Sequence, residues 1–299
     1  MNRLKKTKVI KENECENCQG KCFKKLFKVK GYDIARCVDC GLVFVLLDED
    51  EPFFESYYQE EYFVGYEYLD YEKDKKIKKK NFGNFAKKLC RVLRPGKDKY
   101  LLEIGCAYGF FLEMAREYWT VKGIDISKNA AEYASKNLNL DAYCGDFFHV
   151  NLDKQRFDAV VMWDTIDHLR HPGECLRKIF NLLKDQGILV FNIGDFGSIV
   201  ARIRGQKWRV IIPPSHLYYF DRNTIRDFLR RNGFQVIKIE YVGLYRGLVS
   251  SYLYGVLFKN KSALRRKIYQ LLTKHIPIPN IPLYLNLKDI MLVYAKKIP

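Results

Sequence analysis

From Lys99 onward the chain alternates short apolar runs with segments whose apolar residues recur at helical spacing. Tyr100–Ile104, Val121–Ile124, Ala142–Cys144, Asp158–Met162 and Ile188–Ile193 read as strands. Between them the pattern predicts a helix over Gly109–Tyr118 and another, capped by Ser127, that runs through Asn137. His171-Pro172-Gly173 opens a third helix, with proline in its first turn, which runs to Lys184 before Gly187 ends it. Asp221–Arg231 forms a further helix stopped by Asn232-Gly233, and Phe234–Tyr241 and Ile290–Ala295 are apolar enough to complete the sheet. This alternation predicts an α/β doubly wound domain over residues 96–299. In such sheets ligands bind beyond the carboxyl ends of the strands, near the switch in strand order.

The first 50 residues follow another pattern. Cys15-Glu-Asn-Cys18 and Cys37-Val-Asp-Cys40 are two knuckles, separated by a hairpin in which Leu26, Phe27 and Val29, then Tyr32 and Ile34, flank Gly31. Four converging thiolates make a closed tetrahedral site that suits zinc, with iron as the alternative because the same ligands serve both. So small a unit buries too little apolar surface to fold alone, so the metal would supply folding energy and its role is structural. Cys22 is read as a bystander, and the scattered remainder of the nine cysteines points to a reducing compartment.

Residues 51–95 form an aromatic and basic linker, dense in rings between Phe53 and Tyr71. Those rings can pack on the next domain or cap a substrate. A second interruption, Gly243–Ile281, is expected as a helical insertion between the last two strands. Its apolar stretch Leu248–Phe258 precedes a basic one, Lys259–Lys274. That order suits either a lid or dimer contact, or docking on an anionic membrane.

Composition changes the picture in one respect. The 299 residues carry 52 Lys and Arg against 35 Asp and Glu, a net charge of +17. A polyanionic partner, an anionic membrane surface and a plain lysine bias all remain open. No run of about 18 uncharged apolar residues predicts a spanning helix. Met1–Asn13 is basic without an apolar core behind it, so the expectation is a cytoplasmic protein, with peripheral contact at the inner membrane face as the variant that 243–281 raises.

Three features fall at the ligand edge of the predicted sheet. Glu103-Ile-Gly105-Cys106-Ala107-Tyr-Gly109 follows the first strand with small residues that let a ligand approach the backbone. Asp125, 20 residues beyond Gly105, ends the second strand where an acid can accept hydrogen bonds from ribose hydroxyls. Gly145-Asp146-Phe147 after the third offers a carboxylate and a ring to a purine. Dinucleotide enzymes share this plan but place Gly-x-Gly-x-x-Gly under a pyrophosphate. Here Ala107 stands in the middle and Glu103 precedes the loop, which would repel a pyrophosphate and suits a cationic sulfonium bearing an α-amino group.

These residues, with Phe157-Asp158, Trp163-Asp164, Trp208, Pro213-Pro-Ser-His216-Leu-Tyr-Tyr-Phe220 and Gly233-Phe234, resemble the class I methyltransferases that use S-adenosylmethionine (SAM). With the cysteine knuckles and the Tyr-rich linker, the chain is similar over nearly its whole length to the type 23 group carrying an N-terminal zinc ribbon, relatives of the ubiquinone O-methyltransferases. The resemblance implies a Rossmann-like seven-stranded α/β sheet with an antiparallel last strand. It implies Glu103, Gly105, Cys106, Ala107 and Gly109 around the methionine moiety, Asp125 and Ile126 at the ribose, Asp146 and Phe147 at the adenine, and Trp163 in the pocket wall. Cys15, Cys18, Cys37 and Cys40 would hold the metal. Relatives more often have Glu-His where this chain has Asp167-His168, which leaves the role of that acid open.

Methyl transfer from a sulfonium is an in-line displacement, so the protein mainly has to align nucleophile, methyl and sulfur. An oxygen nucleophile also loses a proton, and histidine is the natural base near neutral pH. His168 follows the fourth strand and is the candidate base or orienting group, with His216 and Tyr218 next; the alternative is a histidine that only bonds loop backbone. The leading expectation is methylation of a small or carrier-linked metabolite such as a sugar, lipid-linked glycan or quinone-like ring. RNA methylation would suit the charge and the ribbon, yet Trp163-Asp164-Thr165-Ile166 is not the Asp/Asn-Pro-Pro-aromatic motif common in base N-methyltransferases. A non-catalytic binding module is the third class. The oligomeric state is open.

Overall fold

The computed structural model describes residues 14–47, 51–58, 71, 74–152, 156–247 and 281–298. Met1–Asn13, the linker rings Tyr62, Phe63, Tyr66 and Tyr68, and the Leu248–Lys274 run lie outside the described residues. The elements in chain order are β1 (Phe23–Val29), β2 (Tyr32–Cys37), β3 (Val43–Leu46), α1 (Glu51–Tyr57), α2 (Lys75–Leu89), β4 (Tyr100–Ile104), α3 (Phe110–Ala115), β5 (Thr120–Asp125), α4 (Lys128–Glu132) and β6 (Ala142–Cys144). They continue with β7 (Phe157–Trp163), α5 (Pro172–Leu182), β8 (Leu183–Gly194), α6 (Ile199–Arg204), β9 (Tyr218–Tyr219), α7 (Arg222–Arg231), β10 (Phe234–Tyr241), β11 (Leu244–Gly247), β12 (Pro282–Leu285) and β13 (Ile290–Lys297).

The main sheet has seven strands in the order β10-β13-β8-β7-β4-β5-β6. The run from β8 to β6 is parallel, and β13, the last strand in sequence, lies antiparallel between β8 and β10. β7 is buried along its whole length, as a strand covered on both faces must be, and that explains its unbroken apolar sequence. From β4 the connections run outward in opposite directions, to β5 on one side and to β7 on the other, so the strand order switches there.

The cysteine-bearing segment makes a second, antiparallel sheet, β1-β2-β3-β9. Its last strand comes from the main domain: Val43 faces Tyr219 and Phe44 faces Tyr218. The Leu217 carbonyl also accepts from Val45 N–H at 2.9 Å. Ile34, Val43 and Val45 share one apolar cluster with Leu101 and Trp163. The ribbon is therefore stitched to the domain that carries the cleft.

Several elements depart from the sequence pattern. α5 stops at Leu182 and β8 begins before Gly187, because Leu183 already pairs with Phe157. The helix after Ser127 widens into a π-helical turn over Tyr133–Asn137, and the buried Ser127 hydroxyl makes no cap bond. α3 covers only Phe110–Ala115 of the expected Gly109–Tyr118.

α7 fits its sequence closely. The Asp221 carboxylate accepts from Asn223 and Thr224 N–H, and the Thr224 hydroxyl accepts from Asp221 N–H at 2.8 Å. Asp221→Ala removes this reciprocal cap and should cost about 1 kcal/mol. The check is the urea midpoint of the intact chain, which should fall at unchanged slope; an unmoved midpoint would contradict the assignment.

Candidate active site

A cleft opens at the carboxyl ends of β4, β5, β6 and β7, over the switch in strand order. The loop after β4 forms one wall. Gly105 and Ala107 both have positive φ, +74° and +46°. A Cβ on Gly105 would lie 2.6 Å from the Thr165 hydroxyl, so the loop and the segment after β7 approach as only glycine allows.

Asp125 joins two walls. Its carboxylate accepts from Ala107 N–H at 2.7 Å and from Ser127 N–H at 2.8 Å. Burial pushes its pKa up to about 6, although both backbone donors pull the other way. Ile126 lines the cleft beside it, and Gly145, Asp146 and Phe147 continue the wall after β6. That stretch is braced from α5: the Lys178 ammonium donates to the Phe147, Phe148 and Val150 carbonyls at 2.7, 3.1 and 2.7 Å.

Glu103 sits deeper, 2% exposed, and its buried Oε2 has no partner among the described residues. Burial, with Asp125 nearby, holds its carboxyl well above the usual carboxylate range. Trp163 lines the cleft, stacked on Phe85 at 4.6 Å, and its indole N–H has no partner among the described residues. Cys106 and Gly109 lie behind the wall. A Cβ on Gly123 would meet the Cys106 sulfur at 2.8 Å, and one on Gly109 would meet Leu140 and Ala134 within 3 Å. Both positions thus fix packing around the loop.

The other end of the cleft holds the histidines. His168 lines the cleft from a short turn after β7, Ile166–His168. Its Nδ1 lies 3.4 Å from the Ser215 hydroxyl, and its ring centroid is 4.4 Å from that of His216. His216 Nδ1 pairs with Asp167 Oδ2 at 2.7 Å. Burial, with His216 adding to it, pushes His168 down to about 3, so its ring is neutral near neutral pH. Burial works to raise the Asp167 carboxyl, but His216 outweighs it and holds that group below the usual range. Tyr218 is turned away: its hydroxyl donates to the Arg170 carbonyl at 2.8 Å.

Three rings of the linker, Phe54, Tyr58 and Tyr71, also line the cleft, as do Asp164 and Thr165. The sequence offered the linker rings as a substrate cap in one of two readings, and did not single out Asp164 or Thr165 as site residues. Asp164 and Thr165 follow the fourth strand, and that position alone could have marked them. Asp164 holds a positive φ of 51° and its N–H donates to Asn192 at 2.9 Å.

In the ribbon the four knuckle sulfurs lie within 4.8 Å of one another, with Cys15–Cys40 and Cys18–Cys37 each at 3.5 Å. A tetrahedral ion with metal–sulfur bonds near 2.3 Å would set its ligands roughly 3.8 Å apart, so the set fits zinc. Cys22 is exposed and outside the set. Glu16, inside the first knuckle, reaches His171 on the cleft rim at 3.1 Å.

A family model described as a methyltransferase domain matches residues 76–239, more than half of the chain. A ubiquinone biosynthesis O-methyltransferase of Coxiella burnetii is 28% identical over 102 residues, covering 32% of this chain and 44% of that one. A juvenile hormone acid O-methyltransferase of Bombyx mori is 25% identical over 166 residues, covering 48% and 60%. The chain thus spans about half the length of the curated relatives it matches. In fold it is similar to the magnesium protoporphyrin IX methyltransferase of Synechocystis PCC 6803 with bound SAH, with a TM-score of 0.52 at 13% identity over 83% of this chain and all of that one. With the switch-point cleft and the antiparallel last strand, these matches establish that the chain belongs to the class I SAM-dependent methyltransferase family.

Proposed function

We propose that the protein transfers the methyl group of SAM to oxygen or carbon of a small or carrier-linked metabolite, with sugars, lipid-linked glycans and quinone-like rings as the acceptor classes. The observation that carries this is one cleft with a carboxylate-braced nucleoside wall at one end and a neutral histidine at the other. SAM supplies an electrophilic methyl on a cationic sulfur when bound. Gly105 and Ala107 would lie against its methionine portion, with Glu103 beneath; Asp125 and Ile126 would take the ribose, and Asp146 and Phe147 the adenine. Burial, with Asp125 nearby, raises the pKa of the Glu103 carboxyl, and a cation arriving beside it would favour its ionised form. Trp163 would close the pocket wall.

At the acceptor end His168 serves best as an orienting hydrogen-bond acceptor, because a proton on its buried ring would sit against His216. Phe54, Tyr58 and Tyr71 supply apolar faces on which a planar or sugar-like acceptor can rest. Tyr218, engaged with Arg170, takes no proton-transfer role. The named relatives act on small molecules, which supports a small acceptor. Zinc in the ribbon would be structural, since four thiolates leave no open position.

Two outcomes follow. Asp125 must be ionised to accept from both backbone and ribose, so SAM affinity should fall as pH drops through about 6, and Asp125→Asn should bind about ten- to a hundredfold more weakly with a shallower pH response. Titrations from pH 5 to 8 check this, and an equally steep response in the variant would contradict it. With a labelled methyl donor and candidate acceptors, His168→Ala should lose at least tenfold in turnover at unchanged SAM affinity. Unchanged turnover removes His168 from the acceptor site.

A further inference from the structure

The corner formed by Asp167, His168 and His216 gathers three side chains that can ligate an ion. One ligand atom from each of the three lies within 4.8 Å of the other two. Asp167 is 2% exposed, and among the described residues neither its Oδ1 nor His168 Nε2 has a hydrogen-bond partner. The buried carboxylate oxygen is an acceptor, and His168 Nε2 is one in the tautomer that carries its proton on Nδ1; in that tautomer the two call for something electropositive between them.

The backbone around the corner is fixed. Leu217 N–H donates to the Asp167 carbonyl at 2.7 Å, His216 N–H to the Ile212 carbonyl at 3.0 Å, and the Tyr219 hydroxyl to the His216 carbonyl at 2.9 Å. The side chains have outer partners as well: Ser215 stands beside His168 Nδ1. Ligand sets prepared for an ion are held in this way. Two imidazoles and one carboxylate are borderline donors, suited to divalent manganese, iron or zinc, and three protein ligands leave positions for outside oxygens. The sulfur-only ribbon site selects differently, which lets the two be told apart.

We propose that Asp167, His168 and His216 bind a divalent cation at the acceptor end of the cleft, whose remaining coordination positions are filled by oxygens of the acceptor. The preferred acceptor then carries two adjacent oxygens, such as a vicinal diol or a hydroxyl beside a carbonyl, which reach the ion as a chelate. This rests on the reading that the acceptor enters beside His168. In the loaded protein His168 orients the acceptor through the ion.

The test uses the full chain with its ribbon loaded with zinc, titrated calorimetrically with Mn2+, a hard ion that does not displace zinc from thiolates. The wild-type chain should take up one Mn2+ per chain. Asp167→Asn should weaken that binding at least tenfold and His216→Ala should abolish it, each with unaltered SAM affinity as the sign of an intact fold. No Mn2+ uptake by the wild-type chain, or equal uptake in both variants, overturns the proposal and leaves the corner to a hydrogen-bonded water. If Mn2+ fails to bind while His168→Ala still stops transfer, the cation is refuted and the acceptor reading stands. If Mn2+ binds and His168→Ala leaves transfer intact, the ion site stands and the acceptor reading falls.

Discussion

Asp125 ends β5 inside the protein, and its carboxylate accepts at 2.7 Å from Ala107 and at 2.8 Å from Ser127. The first bond fixes the turn after β4, and the second fixes the start of the segment leading to α4. Both donors are backbone groups that would otherwise be buried without partners at the end of a parallel sheet. The cost of burying the carboxylate shows in its pKa, raised to about 6. Two strand ends are thereby locked in one geometry, with further acceptor capacity on the carboxylate facing the cleft. The close approach of Gly105 to Thr165 then ties the same loop to the segment after β7, so the cleft walls share one anchor.

The ribbon extends this organisation. Its sheet closes on Tyr218–Tyr219, two residues past His216, and its first knuckle sends Glu16 to His171 on the rim. A structural ion in the ribbon would therefore hold the acceptor end of the cleft in place without touching the chemistry. The linker rings Phe54, Tyr58 and Tyr71 complete the wall from outside the sheet.

The central strands were legible because their chemistry is local. β4, β6 and β10 have the bounds that their apolar runs suggest, and β7 exceeds its expected run by one residue at each end. The acids at the sheet edge were legible for the same reason: a carboxylate ending an apolar strand has little structural cause to be there. What escaped depends on partners distant in sequence. β9 is two residues long and exists because β3 lies beside it. Gly109 and Cys106 looked like ligand contacts, yet their environment is set by Ala134, Leu140 and Gly123. Asp167 stood out only as a departure from the usual Glu-His, and its pairing with His216 required the fold to bring together residues 49 positions apart.

The central claim is that the cleft accepts a sulfonium nucleoside and rejects a dinucleotide, because Asp125 already takes the Ala107 N–H that a pyrophosphate would need and the acid Glu103 is buried behind the loop. Calorimetric titration of the full chain with SAM and, separately, with NAD+ tests this most directly. One SAM should bind per chain, and NAD+ should give no heat of binding. Binding of NAD+, or no binding of SAM, would contradict the account.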